Sequence, residues 1–366
     1  MVDVALGKSR LVAQGLVTRP WATPHDAVAA HGAMQGQDLP GALASVALRT
    51  TGSIGDVLDA LNDASLVRGY PMRGTVFLMA ADDLLWVSEL CNAAPMRAAV
   101  KRRAQLELTE SMVETASVRA QEVLASSAGG LSRAELFETW GAAGVPTDQG
   151  RGYHVLAHLI GRGEVVYGPW NGSDQNVVAA SRWLPSDSTL AARFNGDAVA
   201  ATAELLRRYL TSHGPATLRD FAWWTKLPLR QISAAFGGMA QDFETAAGTS
   251  TSDLDAQRWP QGLLDDVAAL GRNPSKPLLL PGFDEFILGY QDRLFAMTAE
   301  QHQLLVPGNN GVFGKSAINA GRVVGLWKRS GRPGKRHLDL VEFEPVAAGV
   351  RNKFDALFRD FPVVAE

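Results

Sequence analysis

The sequence predicts an α+β chain in which three tandem helix-turn-helix units, each closed by a β-hairpin, precede a β-rich last quarter. Three observations predict it. A helix-start box recurs along the chain. Short helices running into paired strands follow the box. After about residue 276, strand-like runs broken by Gly, Pro and Asn replace the helical pattern.

The box is a capping residue with an acid three positions on, as in Thr23-Pro24-His25-Asp26, Ser53-Ile54-Gly55-Asp56, Ser132-Arg133-Ala134-Glu135 and Thr217-Leu218-Arg219-Asp220. A hydroxyl there accepts from the third helical amide, and the acid reaches back to the cap. In the first unit, helices over 24–34, 39–49 and 54–66 lead to strands at Val67–Tyr70 and Thr75–Met79. In the second, helices over 133–142 and 151–162 lead to Glu164–Tyr167 and, across a turn, Asn176–Ala180. In the third, helices over 218–225 and 229–236 lead to a poorer strand at Phe243–Ala246. Long amphipathic helices precede the last two boxes. Helices closed by a hairpin form the pattern of the winged helix. The last quarter reads as strands at 277–280, 285–290, 303–306, 316–319, 322–327 and 338–343, with Asn309-Asn310-Gly311 as a hairpin turn. The predicted domains are therefore 1–92, 93–190, 191–275 and 276–366.

Composition bounds the function. With 366 residues, 46% hydrophobic and 20% charged, the chain is long enough for several packed cores. One cysteine, Cys91, leaves no disulfide framework and no Cys-based zinc site, and it reads as a small buried hydrophobe. No apolar run is long enough for a membrane span, and the N-terminus has no signal-peptide core, so a cytoplasmic, nucleoid-associated protein is expected. Net charge is −3, yet Gly311 to His337 carries seven Lys or Arg and no acid. Arg97, Lys101, Arg102 and Arg103 form a second basic cluster. Local basic patches on a near-neutral chain suit a protein gripping phosphates along one face, with plain solvated surface as the alternative.

Several stretches, in order, resemble one family. They are Met34-Gln35-Gly36-Gln37-Asp38-Leu39-Pro40 followed by Leu43 to Arg49, Met72-Arg73-Gly74-Thr75 with Asp82-Asp83, and Arg182-Trp183-Leu184-Pro185. Further along come Gly214-Pro215-Ala216-Thr217 with Asp220-Phe221-Ala222-Trp223, then Pro281-Gly282-Phe283-Asp284-Glu285 and Gly321 to Trp327. Together they span most of the chain and resemble the winged-helix DNA glycosylases of the AlkZ/YcaQ type. The resemblance implies three winged helices in a concave arrangement plus a β-rich domain, with duplex DNA in the concavity. It also implies hydrolysis of the N-glycosidic bond of N-alkylated purines, including interstrand crosslinks through guanine N7. The two catalytic glutamines of the family's motif match Gln35 and Gln37. The residue between them is usually larger and aliphatic, and here it is Gly36.

The chemistry is consistent with two amides. Guanine alkylated at N7 is cationic and leaves without protonation, so the enzyme needs an oriented water and neutral dipoles rather than a strong acid. Gln35 and Gln37 each offer a carbonyl to orient water and an NH2 to hold the backbone. Asp38 could serve as the base, but before Leu39-Pro40 it reads more simply as a helix N-cap. The motif places no lysine for a Schiff base, so a monofunctional glycosylase is expected. Arg49, Arg73, Asn309, Asn310, Lys315, Arg322 and Lys328 are the candidate DNA contacts. His154 and His158 form an i, i+4 pair that reads as packed or surface imidazoles; no metal and no cofactor are expected. Asp284 and Glu285 read as buried acids bonded to backbone or paired with Arg293, and of Trp223 and Trp224 one should be core. The expected partner is alkylated duplex DNA, bound by a monomer with no obligatory protein partner. The rival reading is a non-enzymatic winged-helix regulator, which would prefer a defined DNA sequence.

Overall fold

The computed structural model describes residues 2–250 and 252–364. Its chain divides into two compact units. One comprises Gly32–Gly36 and Leu58–Thr202; the other comprises the chain up to His31, Gln37–Val57 and the chain from Ala203 onward.

The unit holding Leu58–Thr202 is built on a five-stranded antiparallel sheet, in the order Met34–Gln35, Thr75–Ala80, Leu66–Met72, Val165–Trp170, Gln175–Ala179. Its first hairpin turns through Arg73 and Gly74, both at positive φ (58° and 68°), the geometry whose twist matches paired strands. Its second hairpin turns at 171–174, where the Asn171 side chain accepts from the Ser173 and Asp174 amides. The two hairpins fall in different expected domains, yet they share this one sheet through Arg68 opposite Tyr167. Helices Glu110–Ala125, Arg133–Ala142 and Arg151–Gly161 bury Val113, Ala116, Trp140, Leu156 and Leu159 in a common core with Val165 and Val177. Ser132 and Glu135 cap the middle helix reciprocally, as the start box requires.

In the other unit a four-stranded antiparallel sheet runs in the order His337–Glu342, Arg322–Ser330, Ser316–Asn319, Leu278–Leu280. Helix Ala348–Arg359 closes one core with Phe354 against Trp327 and Leu279. Thr217 and Asp220 form another reciprocal box, at the start of helix Leu218–Thr225, as do Ser53 and Asp56 at the start of helix Ile54–Asn62. The strand Phe243–Glu244 pairs with Trp259–Pro260 rather than with an adjacent run.

Three expectations for the last quarter are corrected. Residues 285–290, read as a strand, open with the helix Glu285–Leu288, because Asp284 caps it by accepting from the Phe286 amide. Residues 303–306, also read as a strand, belong mostly to helix Ala299–Leu305, started by a Thr298/Gln301 capping box. Asn309-Asn310-Gly311 is no strand-to-strand turn: Pro307–Asn309 is a 3-10 turn continuing from that helix. The sheet strands at 278–280, 316–319, 322–330 and 337–342 agree with the sequence reading to within a few residues.

Candidate active site

Gln35 and Gln37 are held differently. Gln35 is buried at the end of the two-residue strand Met34–Gln35, directly opposite Phe77. Its side-chain carbonyl accepts from the Gly36 amide at 3.0 Å, and that amide also donates to Val76 O at 2.9 Å. Gly36 lies flush on the neighbouring strand: an added Cβ would come within 2.8 Å of Leu78 N and Phe77 C, and 3.0 Å of Arg68 Cγ. A side chain there would strike backbone, so the glycine goes with a fixed segment rather than a loose one. Gln37 is exposed, one residue before the N-cap of helix Leu39–Ala47.

Arg68 is a residue that sequence reasoning passed over. It is 6% exposed, with its guanidinium 4.9 Å from the Tyr167 ring centroid. Among the described residues its Nε and Nη1 have no hydrogen-bond partner. Burial lowers its pKa from the ordinary arginine value. The only sequence signal for it is a charged residue inside an otherwise apolar strand.

Asp38 occupies the N-cap position of helix Leu39–Ala47, but its side chain makes no capping bond. Its carboxylate instead lies over Gly41, where an added Cβ would come within 2.6 Å of Oδ2 and 2.9 Å of Gly282 O. It acts electrostatically on Lys315, whose pKa burial lowers and Asp38 raises.

The candidate DNA contacts separate into distinct environments. Arg49 is corrected: it is wholly buried, donates twice to Asp284 at 2.9 Å, and also bonds Gln14 and Ser45. Asp284 was expected to pair with Arg293 if with any cation; that guanidinium lies 5.0 Å from the Trp223 ring centroid and 5.1 Å from that of Phe313. Arg73 sits in the hairpin turn, 5.2 Å from the Phe77 ring centroid. Asn309 and Asn310 are exposed, and the Asn310 side-chain Oδ1 accepts from the Val312 amide. Arg322 is exposed at the start of its strand, and Lys328 is exposed directly opposite Asp339 on the next strand. Lys315 lies 4.9 Å from the Trp327 ring centroid. It shares a cleft of about 290 Å³ with Arg329, Arg336 and Arg359, and among the described residues no acid lines that cleft. Arg359 escaped sequence reasoning because its helix, Ala348–Arg359, was not read.

His158 packs behind Arg103, which donates to its Nε2, and burial with the nearby Arg103 and Arg162 charges pushes its pKa down to about 4. Cys91 is buried and its thiol pKa is raised by burial. Trp224 is core, while Trp223 is half-buried between Lys226 and Arg293.

A family model described as "DNA glycosylase AlkZ-like" matches residues 28–361, and the chain belongs to that family. Among solved structures it is similar to the Streptomyces sahachiroi DNA glycosylase AlkZ, with a TM-score of 0.68 and 21% identity over 96% of this chain and 95% of that one. This likeness shows a common fold. No curated protein matches the chain. Among the described residues no helix is long and apolar enough to cross a membrane.

Proposed function

We propose that the protein hydrolyses the N-glycosidic bond of bulky N7-alkylguanine and related N-alkylpurine lesions in duplex DNA, crosslinks included. The reaction is monofunctional: water, not a lysine amine, attacks the sugar, so base release leaves an intact strand with an abasic site. Gln35 and Gln37 orient that water, and the cation already present on the base makes an acid unnecessary. The observation carrying this reading is the fixed Gln35-Gly36-Gln37 segment, with Gly36 flush against Phe77 and Leu78, in a chain of the AlkZ-like DNA glycosylase family.

The finer architecture belongs to the same proposal. The helix pairs at 39–62, 133–161 and 218–237, with the strands that follow them, are three winged helices, and residues from 276 form a β-rich domain. Lys315, Arg322 and Lys328, with Arg329, Arg336 and Arg359 added, hold the phosphate backbone. Arg73 and the Asn309-Asn310 tip contact the duplex near the lesion. The protein acts as a monomer on chromosomal DNA in the cytoplasm.

The test is release of free modified base from a duplex carrying one N7-alkylguanine, at neutral pH against spontaneous depurination, for wild type and the Gln35→Ala, Gln37→Ala double variant. Wild type releases base and the double variant is slower by about a hundredfold or more, the scale for losing a positioned polar group at a reacting centre. Release by both proteins retains the enzyme and rejects these two residues. Sequence-specific binding without release from simple or bulky adducts rejects the enzyme in favour of a regulator.

A further inference from the structure

Within the Leu58–Thr202 unit, helices Ala93–Arg102 and Arg151–Gly161 and the hairpin turn at Arg73-Gly74 enclose an open cleft of about 510 Å³. Neither Gln35 nor Gln37 lines it. Its size is in the range of small-molecule sites, about 300–1,000 Å³. Two chemistries meet in it.

One part is apolar and aromatic. Tyr70, Pro95, Met96 and Tyr153 line it. Tyr153 is 52% exposed, and its ring is steadied edge-on to Phe137 with centroids 5.4 Å apart. Rings and a thioether are the usual partners of a flat heteroaromatic ligand.

The other part is polar and carries cations: Arg73, Arg102, His154, His158 and Asn92 line it, and among the described residues no Asp or Glu does. Arg103 stands behind His158 and donates to Nε2. A guanidinium has donors only, so Nε2 is the acceptor and the neutral ring carries its proton on Nδ1. Among the described residues that Nδ1–H has no partner, nor has Arg103 Nε–H behind it, and both residues are at most 5% exposed. Asn92, 3% exposed, has an unpartnered side-chain carbonyl. Buried polar groups are ordinarily satisfied, so the unpartnered Asn92 carbonyl and His158 Nδ1–H, both on residues that line the cleft, mark a place where a ligand supplies the partners. Surplus donors and cations call for an anion, the amide for a base edge, and the rings for a planar group.

We propose that this cleft binds a nucleotide, with its base against Tyr70, Met96 and Tyr153 and its phosphate toward Arg73 and Arg102. The same chemistry has two sources, a free nucleoside monophosphate or an unpaired nucleotide within a DNA strand.

Isothermal titration of the full chain with dGMP, deoxyguanosine, inorganic phosphate and a single-stranded deoxyguanosine-containing tetranucleotide tests it. Saturable binding of dGMP, tighter than that of deoxyguanosine or phosphate, is the expected result. Arg102→Glu and Tyr153→Ala change exposed residues, and each weakens binding about tenfold, the loss of one charged contact or one stacking face. Arg102→Lys and Tyr153→Phe retain most of it. Binding of the tetranucleotide alone, still lost in Arg102→Glu and Tyr153→Ala, supports the proposal and identifies the strand as the source. Phosphate binding as tightly as dGMP, affinity unchanged in both variants, or no saturable binding of any probe overturns it. The Gln35→Ala, Gln37→Ala protein binds dGMP like wild type, so the cleft and the hydrolytic reading succeed or fail separately.

Discussion

Arg49, an expected DNA contact, and Arg359, which the sequence did not single out, stand in opposite surroundings. Arg49 is sealed in the protein against Asp284, Ser45 and Gln14. Arg359 is exposed and lines a cleft with Lys315, Arg329 and Arg336 in which, among the described residues, no acid appears. What separates them is an acid 235 residues away in sequence, which no local pattern announces. A buried cation in a bidentate ion pair is spent on the fold, whereas a surface cleft lined by several cations favours an anion.

Breaking the buried member of the comparison gives the largest effect. Asp284→Ala leaves the Arg49 guanidinium buried and uncompensated, and should destabilise the protein by about 3–5 kcal/mol in chemical unfolding. Replacing both partners, as Arg49→Met with Asp284→Leu, should recover much of that loss. A double variant no more stable than the single one would mean that the pair's worth lies elsewhere, in the Ser45 and Gln14 bonds.

The exposed member should behave in the opposite way. Arg359→Ala should leave thermal stability nearly unchanged while lowering the slope of log affinity against log salt by about one, the signature of a lost phosphate contact. Lys328→Ala, where Asp339 sits opposite across the strands, should lower it less. Equal slopes for the two variants would remove the distinction between a cation facing an acid and one in an acid-free cleft.

Gly36 sharpens the comparison at the candidate catalytic segment. Gly36→Ala places a methyl 2.8 Å from the backbone of Phe77 and Leu78. It should cost about 1–3 kcal/mol, the scale of overpacking, and slow base release with it. Unchanged release would show that the strand pairing of Gln35 is not needed for the chemistry.

The legible and illegible parts of the sequence follow the same division between local and distant causes. The boxes at Ser132 and Thr217 are local hydrogen-bond patterns, and both form reciprocally. The hairpin strands alternate or run apolar between turn residues, and they lie within a few residues of their predicted places. The run after Asp284 is apolar and short, which does not distinguish strand from helix, and its cap decided the matter. Thr298-x-x-Gln301 was a readable capping box, and Val350, Phe354, Leu357 and Phe358 show the helical spacing of Ala348–Arg359. Both signals were present in the sequence. The burial of Arg49, the exposure of Gln37 beside a buried Gln35 and the unsatisfied Arg68 were not, since each depends on which distant strand or helix lies alongside.

The smallest expected effect concerns the basic cluster around His158. Its neighbours are Arg103, Arg162 and His154, with Glu114 as the opposing charge, and its folded pKa is down to about 4 from 6.5. The fold therefore favours the neutral ring. Above pH 6.5 the ring is neutral whether the chain is folded or not, and its contribution is complete. As pH falls from 6.5 towards 4 the unfolded chain takes up a proton that the folded chain refuses, so that contribution is lost across this window. His31, whose pKa burial also lowers, adds a similar slope and remains in any His158 variant. His158→Gln should therefore flatten the fall in melting temperature between pH 6.5 and 4 without abolishing it. An unaltered slope would mean that burial and the Arg103 charge do not hold the ring neutral, and would also weaken the case for an Nδ1 donor at the cleft.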